Sequence, residues 1–181
     1  MFARILLSLA GSLLLLVVPR GANAQEAAKL GDPAIAHIAV TANTIDADIA
    51  RLAEGRTTND DVLAFARVMI STHTAVNEKA AALAKRLGVT PQDNDVSRTL
   101  NQGAEEAKKK LSSLQGAAFD AAYLQREVEF HQAVLDALDQ TLIPGASNAE
   151  LKALLQEVRP VVAAHLENAK ALQKGGTTAH R

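Results

Sequence analysis

The chain has no cysteine and no tryptophan, and only one tyrosine and four phenylalanines in 181 residues. Without cysteine there can be no disulfide framework, thiolate zinc site, iron–sulfur cluster or covalently attached c-type haem. The scarcity of aromatics removes the stacking platforms on which single-stranded nucleic acid is held. An excess of charge of one sign is also missing. Lys plus Arg is 19 against 20 Asp plus Glu, a net charge of −1, so no electrostatic footprint for DNA or RNA is present. What remains is a chain that is 48% hydrophobic, too apolar for disorder. Much of that fraction is Ala and Leu, the best helix formers, while the residues that favour strands are sparse.

The single long apolar run lies at the N-terminus. Arg4 precedes an apolar stretch from Ile5 to Val18, Pro19-Arg20-Gly21 breaks it, and Ala22-Asn23-Ala24 supplies small residues at the A-x-A positions. This pattern predicts a secretory signal peptide over residues 1–24, cleaved before Gln25. The run is short for a bilayer core of about 30 Å, and no later segment is long and apolar enough to span one. The predicted location is the periplasm. The remaining chain of 157 residues (181 less 24) carries a net charge of −3 once Arg4 and Arg20 are removed, and is long enough for one domain with a sizeable core. Residues 25–31 and 175–181 read as flexible ends, and 32–174 as the domain.

Within the domain the apolar residues repeat at three- and four-residue steps. Asp32-Pro33 reads as a cap followed by Pro at the first helical position. Ile35, Ile38, Ala42, Ile45, Ile49 and Leu52 then form one stripe over about 33–54, ended by Gly55. A second stripe runs through Val62, Phe65, Met69, His73, Val76, Ala80, Leu83 and Leu87, over about 60–87, capped by Thr58 or Asn59 and stopped by Gly88. Asp95 can cap a third, shorter helix over about 96–114, whose Glu and Lys runs form a solvated face. A fourth spans about 117–141 with Leu124, Val128, His131, Leu135 and Leu138. A fifth starts at a cap on Ser147 or Asn148 and carries Leu151, Leu155, Val158, Val162, His165 and Ala169. Ile143-Pro144-Gly145 reads as a turn, and Pro160 as a bend within the last helix. No segment alternates like a strand. The expectation is an all-α fold: an up-and-down four-helix bundle with one additional shorter helix.

Three histidines stand on three of these stripes: His73, His131 and His165. Neutral imidazole is the commonest transition-metal ligand, and bundle cores build such sites from facing helices. Glu127 is four residues before His131 and so on its face. Asp46 lies on the shoulder of the first stripe beside Asn43. These five are the candidate metal ligands. Glu129 and Glu167 lie across the helix from their histidines, His37 is one position off its stripe, and His180 is in the tail. The di-iron carboxylate pattern of Glu-x-x-His on two helices is missing, because Ile70, Val128 and Val162 stand three residues before the histidines. A three-His site with one carboxylate would suit Zn, Cu or Fe. No nucleophile motif, phosphate-binding glycine loop or H-E-x-x-H is present, so no catalytic residue is assigned.

The motifs together resemble the bacterial secreted family known as domain of unknown function 4142. Asn43-Thr44-Ile45-Asp46 with Leu52-Ala53 is similar to its N-x-x-E…L-A pattern, with Asp for Glu. Phe65-Ala66-x-x-Met69 with His73 and Asn77, Gly116-x-x-Phe119-Asp120-x-x-Tyr123, His131-Gln132, and Pro160 with His165-Leu166-x-x-Ala169 follow in order. Thr72 departs from the pattern, which has Asp before the second-helix histidine. The resemblance implies a ferritin-like bundle and export, and supplies no reaction. Two functions are therefore expected as alternatives. A metal-binding bundle, for storage, buffering or envelope stress protection, predicts imidazoles that converge to within about 5 Å. A non-catalytic module that binds an envelope protein or a second copy of itself predicts separated histidines with local hydrogen bonds.

Overall fold

The computed structural model describes residues 30–175. The expected signal peptide, all but the end of segment 25–31 and nearly all of the tail lie outside the described residues. Five helices account for the domain: α1 (Asp32–Glu54), α2 (Asp60–Leu87), α3 (Asp95–Ser112), α4 (Gly116–Ala137) and α5 (Ala149–Gln173). No strand occurs among the described residues.

Local chemistry sets the helix ends. Asn59 caps α2 by accepting from the backbone N–H groups of Asp61 and Val62 at 3.0 and 3.2 Å, and Asn148 caps α5 through Glu150 and Leu151. Gly88 closes α2 in the left-handed conformation with φ 65°, where a side chain would be strained. Two expected caps differ. Asn94, not Asp95, caps α3, in a reciprocal capping box with Ser97. Asp32 is the first residue of α1 rather than its cap, and its carboxylate reaches across the fold to accept from the backbone N–H groups of Ser147 and Asn148. The end of α4 differs as well. A π-helical turn, Leu138–Leu142, and a helical turn, Ile143–Gly145, extend it where a plain turn is expected. Pro144 cannot donate to the carbonyl four residues back, and a widened turn absorbs the missing bond. Helix α5 runs through Pro160, whose ring faces solvent.

Consecutive helices alternate in direction. Glu54 meets Arg67 while Thr44 meets Asn77, so α1 and α2 are antiparallel. Arg159 meets Asp139 while Gln173 meets Gln125, so α4 and α5 are antiparallel. Arg86 with Glu150 and Lys79 with Glu157 set α2 against α5 in the same way. Helix α3 packs parallel on α1, with Asn94 at Ala34, Lys108 at Asp48 and Ser112 at Arg56. It carries the chain back along the bundle, so α2 and α4 descend together between α1 and α5, which ascend.

The apolar interior is in two parts. The upper cluster centres on Ile49, Phe65, Met69, Phe119 and Tyr123, with Phe119 and Tyr123 stacked at 6.3 Å between ring centroids. The lower cluster holds Ile35, Ile38, Leu138, Leu155 and Val162. Burial of these side chains is the main force that closes the bundle. On the lower half of α2, Val76, Ala80 and Leu87 are stripe residues but only half-buried. Between the two clusters lies a layer of buried polar side chains: Asn43, Asp46, His73, Glu127, His131 and His165.

Candidate metal centre

The level of this layer follows from simple counting. Taken from the helix ends at the lower rim, Asp46 is 14 residues from Asp32, His73 is 14 from Leu87, His131 is 14 from Gly145 and His165 is 16 from Ala149. The extension of α4 through its π-helical turn is what puts His131 level with the others. Counted from the shared rim, His165 stands two residues beyond the other three, about 3 Å at 1.5 Å per residue.

The three imidazoles converge. Ring centroids are 5.8 Å apart for His73 and His131, 5.2 Å for His73 and His165, and 5.3 Å for His131 and His165. One ring nitrogen from each can be chosen so that all lie within 4.8 Å of one another, and the same is true of ligand atoms from Asp46, Glu127 and His131. All five are buried, with Asp46 and Glu127 at 0% exposure. All five candidate residues read from the sequence are thus brought to one place. Glu129, Glu167 and His37 are not: Glu129 and Glu167 are exposed, and the His37 ring turns to Thr41.

Hydrogen bonds fix which nitrogen each ring presents. Asn43 donates its amide N–H to the Ala39 carbonyl at 2.9 Å, which turns its oxygen toward His73. His73 donates from Nδ1 to that oxygen at 2.6 Å. His131 donates from Nδ1 to the Glu127 backbone carbonyl at 2.9 Å. Both rings therefore turn a bare Nε2 lone pair inward in their neutral form. An outer acceptor holding the far N–H is how metal-ligating imidazoles are oriented. Asp46 Oδ2 lies 3.0 Å from His73 Nε2 and 3.8 Å from His131 Nε2, and neither contact is a hydrogen bond.

Arg126 was not legible as a site residue. Its side chain is 14% exposed and donates from Nη1 to Asp46 Oδ1 and to Glu127 Oε1, the latter at 2.7 Å. Its guanidinium also lies over the Phe130 ring at 4.0 Å. In sequence Gln125-Arg126-Glu127 resembles any solvated helix face. The available signal was two acidic residues on apolar stripes, which require a buried cation.

Electrostatics separates the two carboxylates. Burial pushes the Asp46 carboxyl up, but the Arg126 guanidinium outweighs it and holds the group well below the usual range. Burial, then the charge of Asp46, pushes Glu127 well above its usual range. Of the two carboxyls, Glu127 is thus the one that takes up a proton more readily, and Asp46 the one that stays ionised against Arg126. Burial pushes His131 down, and burial with the two neighbouring rings pushes His165 down to about 4. Both shifts favour the neutral imidazole, with its lone pair free, at His131 and His165. Five buried atoms in this one layer have no hydrogen-bond partner: Asp46 Oδ2, His73 Nε2, Glu127 Oε2, His131 Nε2 and His165 Nδ1. Tyr123, one helical turn before Glu127, adds a buried hydroxyl in the same state. Native interiors leave very few polar groups unpaired, so a cluster of this kind marks a place built for something to be held.

No curated protein and no solved structure matches the chain. A family model, described as domain of unknown function (DUF4142), matches residues 18–172, and the chain belongs to that family.

Proposed function

We propose that this protein binds one transition-metal ion in the middle of its helical bundle. His73 and His131 supply Nε2, His165 supplies a ring nitrogen, and Asp46 supplies Oδ2. The observation that carries this reading is the set of unpartnered lone pairs converging at one buried level. Three nitrogens and one oxygen, without sulfur, suit Zn, Cu or Fe. A bound divalent cation would satisfy in one step four of the five unpartnered atoms of the layer.

Arg126 sets the stoichiometry in this reading. Its guanidinium lies on both Asp46 and Glu127, where a second cation bridging the two carboxylates would have to sit. The protein supplies that positive charge itself and leaves room for a single ion. The one-crossover connection through α3 has the form of ferritin-like bundles, which supports the ferritin-like reading of the fold. The N-terminal segment supports export to the periplasm. The role that fits is storage, buffering or stress protection in the envelope, with no catalytic residue assigned.

The test is elemental analysis of the purified protein after loading with Zn, Cu or Fe and removal of excess ion. Wild type should retain close to one ion per chain, and His131→Ala almost none. A wild type that retains no ion, and whose melting temperature does not move with any of the three, would end the proposal.

A further inference from the structure

Below the histidine layer the bundle is not filled. A cavity of about 470 Å³ occupies its lower half, and its walls come from all five helices. We infer that this cavity is a binding site for an unbranched hydrocarbon chain, the tail of a single-chain amphiphile such as a fatty acid. The inference rests on the cavity and not on the metal reading.

Three observations carry it. The first is chemistry: Val76, Ala80, Ala84, Leu138, Val158 and Val162 are representative of a wall that is almost wholly aliphatic. Away from the polar side chains at its inner end, such a wall gives ordered water few partners. The charged residue in the lining, Asp32, is already used, since it accepts from the backbone of Ser147 and Asn148. Among the described residues no charge in the wall is free to receive a polar head, so the tail enters and the head stays at the rim.

The second is shape. The lining runs along α2 from His73 to Leu87. Those 14 residues rise about 21 Å at 1.5 Å each. The cavity, about 470 Å³, is thus drawn out along about 21 Å of helix, a length that an extended alkyl chain can follow end to end.

The third is the way the walls are made. Between His73 and Leu87, Leu83 is the one buried α2 residue. Val76, Ala80, Ala84 and Leu87 face inward yet remain half-exposed, and small residues stand where a packed seam would carry large ones. The π-helical turn Leu138–Leu142 places Leu138 and Leu142 in the same wall, and such turns recur at functional positions. Val96, 43% exposed, stands at the rim where α3 begins. His73 and His131 close the inner end. A bound tail thus ends against the imidazole layer and keeps water from it.

The experiment is a fluorescence titration of the delipidated protein with cis-parinaric acid, a straight-chain fluorescent fatty acid. Saturable binding near one per chain is expected. Palmitate and lysophosphatidylcholine should both displace the probe, because the head lies outside. Cholesterol should not. Displacement by palmitate alone would overturn the placement of the head. Ala84→Phe and Ala137→Leu fill the cavity from two walls, and each should weaken the probe at least tenfold while zinc uptake and circular dichroism stay as in wild type. Should Ala84→Phe fail to fold, Ala137→Leu alone decides. Absence of saturable binding in wild type, cholesterol competing as well as palmitate, or undiminished binding in the folded filled variants would overturn the inference.

Discussion

Replacing Arg126 with Met keeps the length of the side chain and removes the charge. In wild type the guanidinium touches two carboxylates that are both at 0% exposure. Removing one partner of a buried ion pair costs about 3–5 kcal/mol, because the remaining charge stays buried and unpaired. For a chain of this size each kcal/mol moves the melting temperature by about 2–4 °C. Arg126→Met should therefore melt about 6–20 °C below wild type in metal-free buffer at pH 8, followed by circular dichroism. The loss should depend on pH in a definite direction. With Arg126 present, Asp46 titrates well below its usual range. Without it, burial dominates and the folded protein prefers Asp46 protonated. The variant then gains stability from proton uptake as pH falls, and its deficit against wild type narrows between pH 8 and pH 5. Adding Asp46→Asn to Arg126→Met removes the unpaired charge and should restore most of the lost stability. A melting temperature within about 2 °C of wild type, the size of an exposed ion-pair effect, or a deficit that does not change with pH, would refute this reasoning.

Three further outcomes are expected. Asn43→Ala removes the acceptor that orients His73 without touching the proposed ion, and should weaken zinc about 10–100-fold by competition with a chromophoric chelator. His165 is held down to about 4 from an ordinary 6.5, so the unfolded chain binds its proton first. Its contribution is present above pH 6.5 and lost toward pH 4, and metal-free wild type should lose up to about 3 kcal/mol relative to His165→Phe over that window, read by urea unfolding. Asn94→Ala deletes the capping box of α3 and should cost about 1 kcal/mol, seen as a fall of about 2–4 °C in melting temperature.

Much of the fold could be read from spacing alone. The stripes of α1, α2, α4 and α5 each named the face that turns inward, and the Asn and Gly positions marked most ends, because capping and helix periodicity act over a few residues. What the sequence did not show depends on distant partners. Asp32 caps nothing in its own helix because its partners are the N–H groups before α5. Arg126 belongs to the core because of Asp46, 80 residues away. A stripe also cannot say whether it packs against a neighbour or lines a void, which is why Val76, Ala80 and Leu87 look like core residues and are half-buried. The histidines were visible as candidates from their stripes. Their common level was not, since it depends on how far α4 continues past Ala137.

The central claim is that His73, His131 and His165 share one ion with Asp46. X-ray absorption at the zinc edge of the loaded protein tests it most directly. The expected result is a four-coordinate ion with imidazole scattering from three rings and one oxygen, with bonds of about 2.0–2.2 Å, reduced by one ring in His165→Ala. A six-coordinate shell of oxygens, or a spectrum unchanged in His165→Ala, would contradict the account.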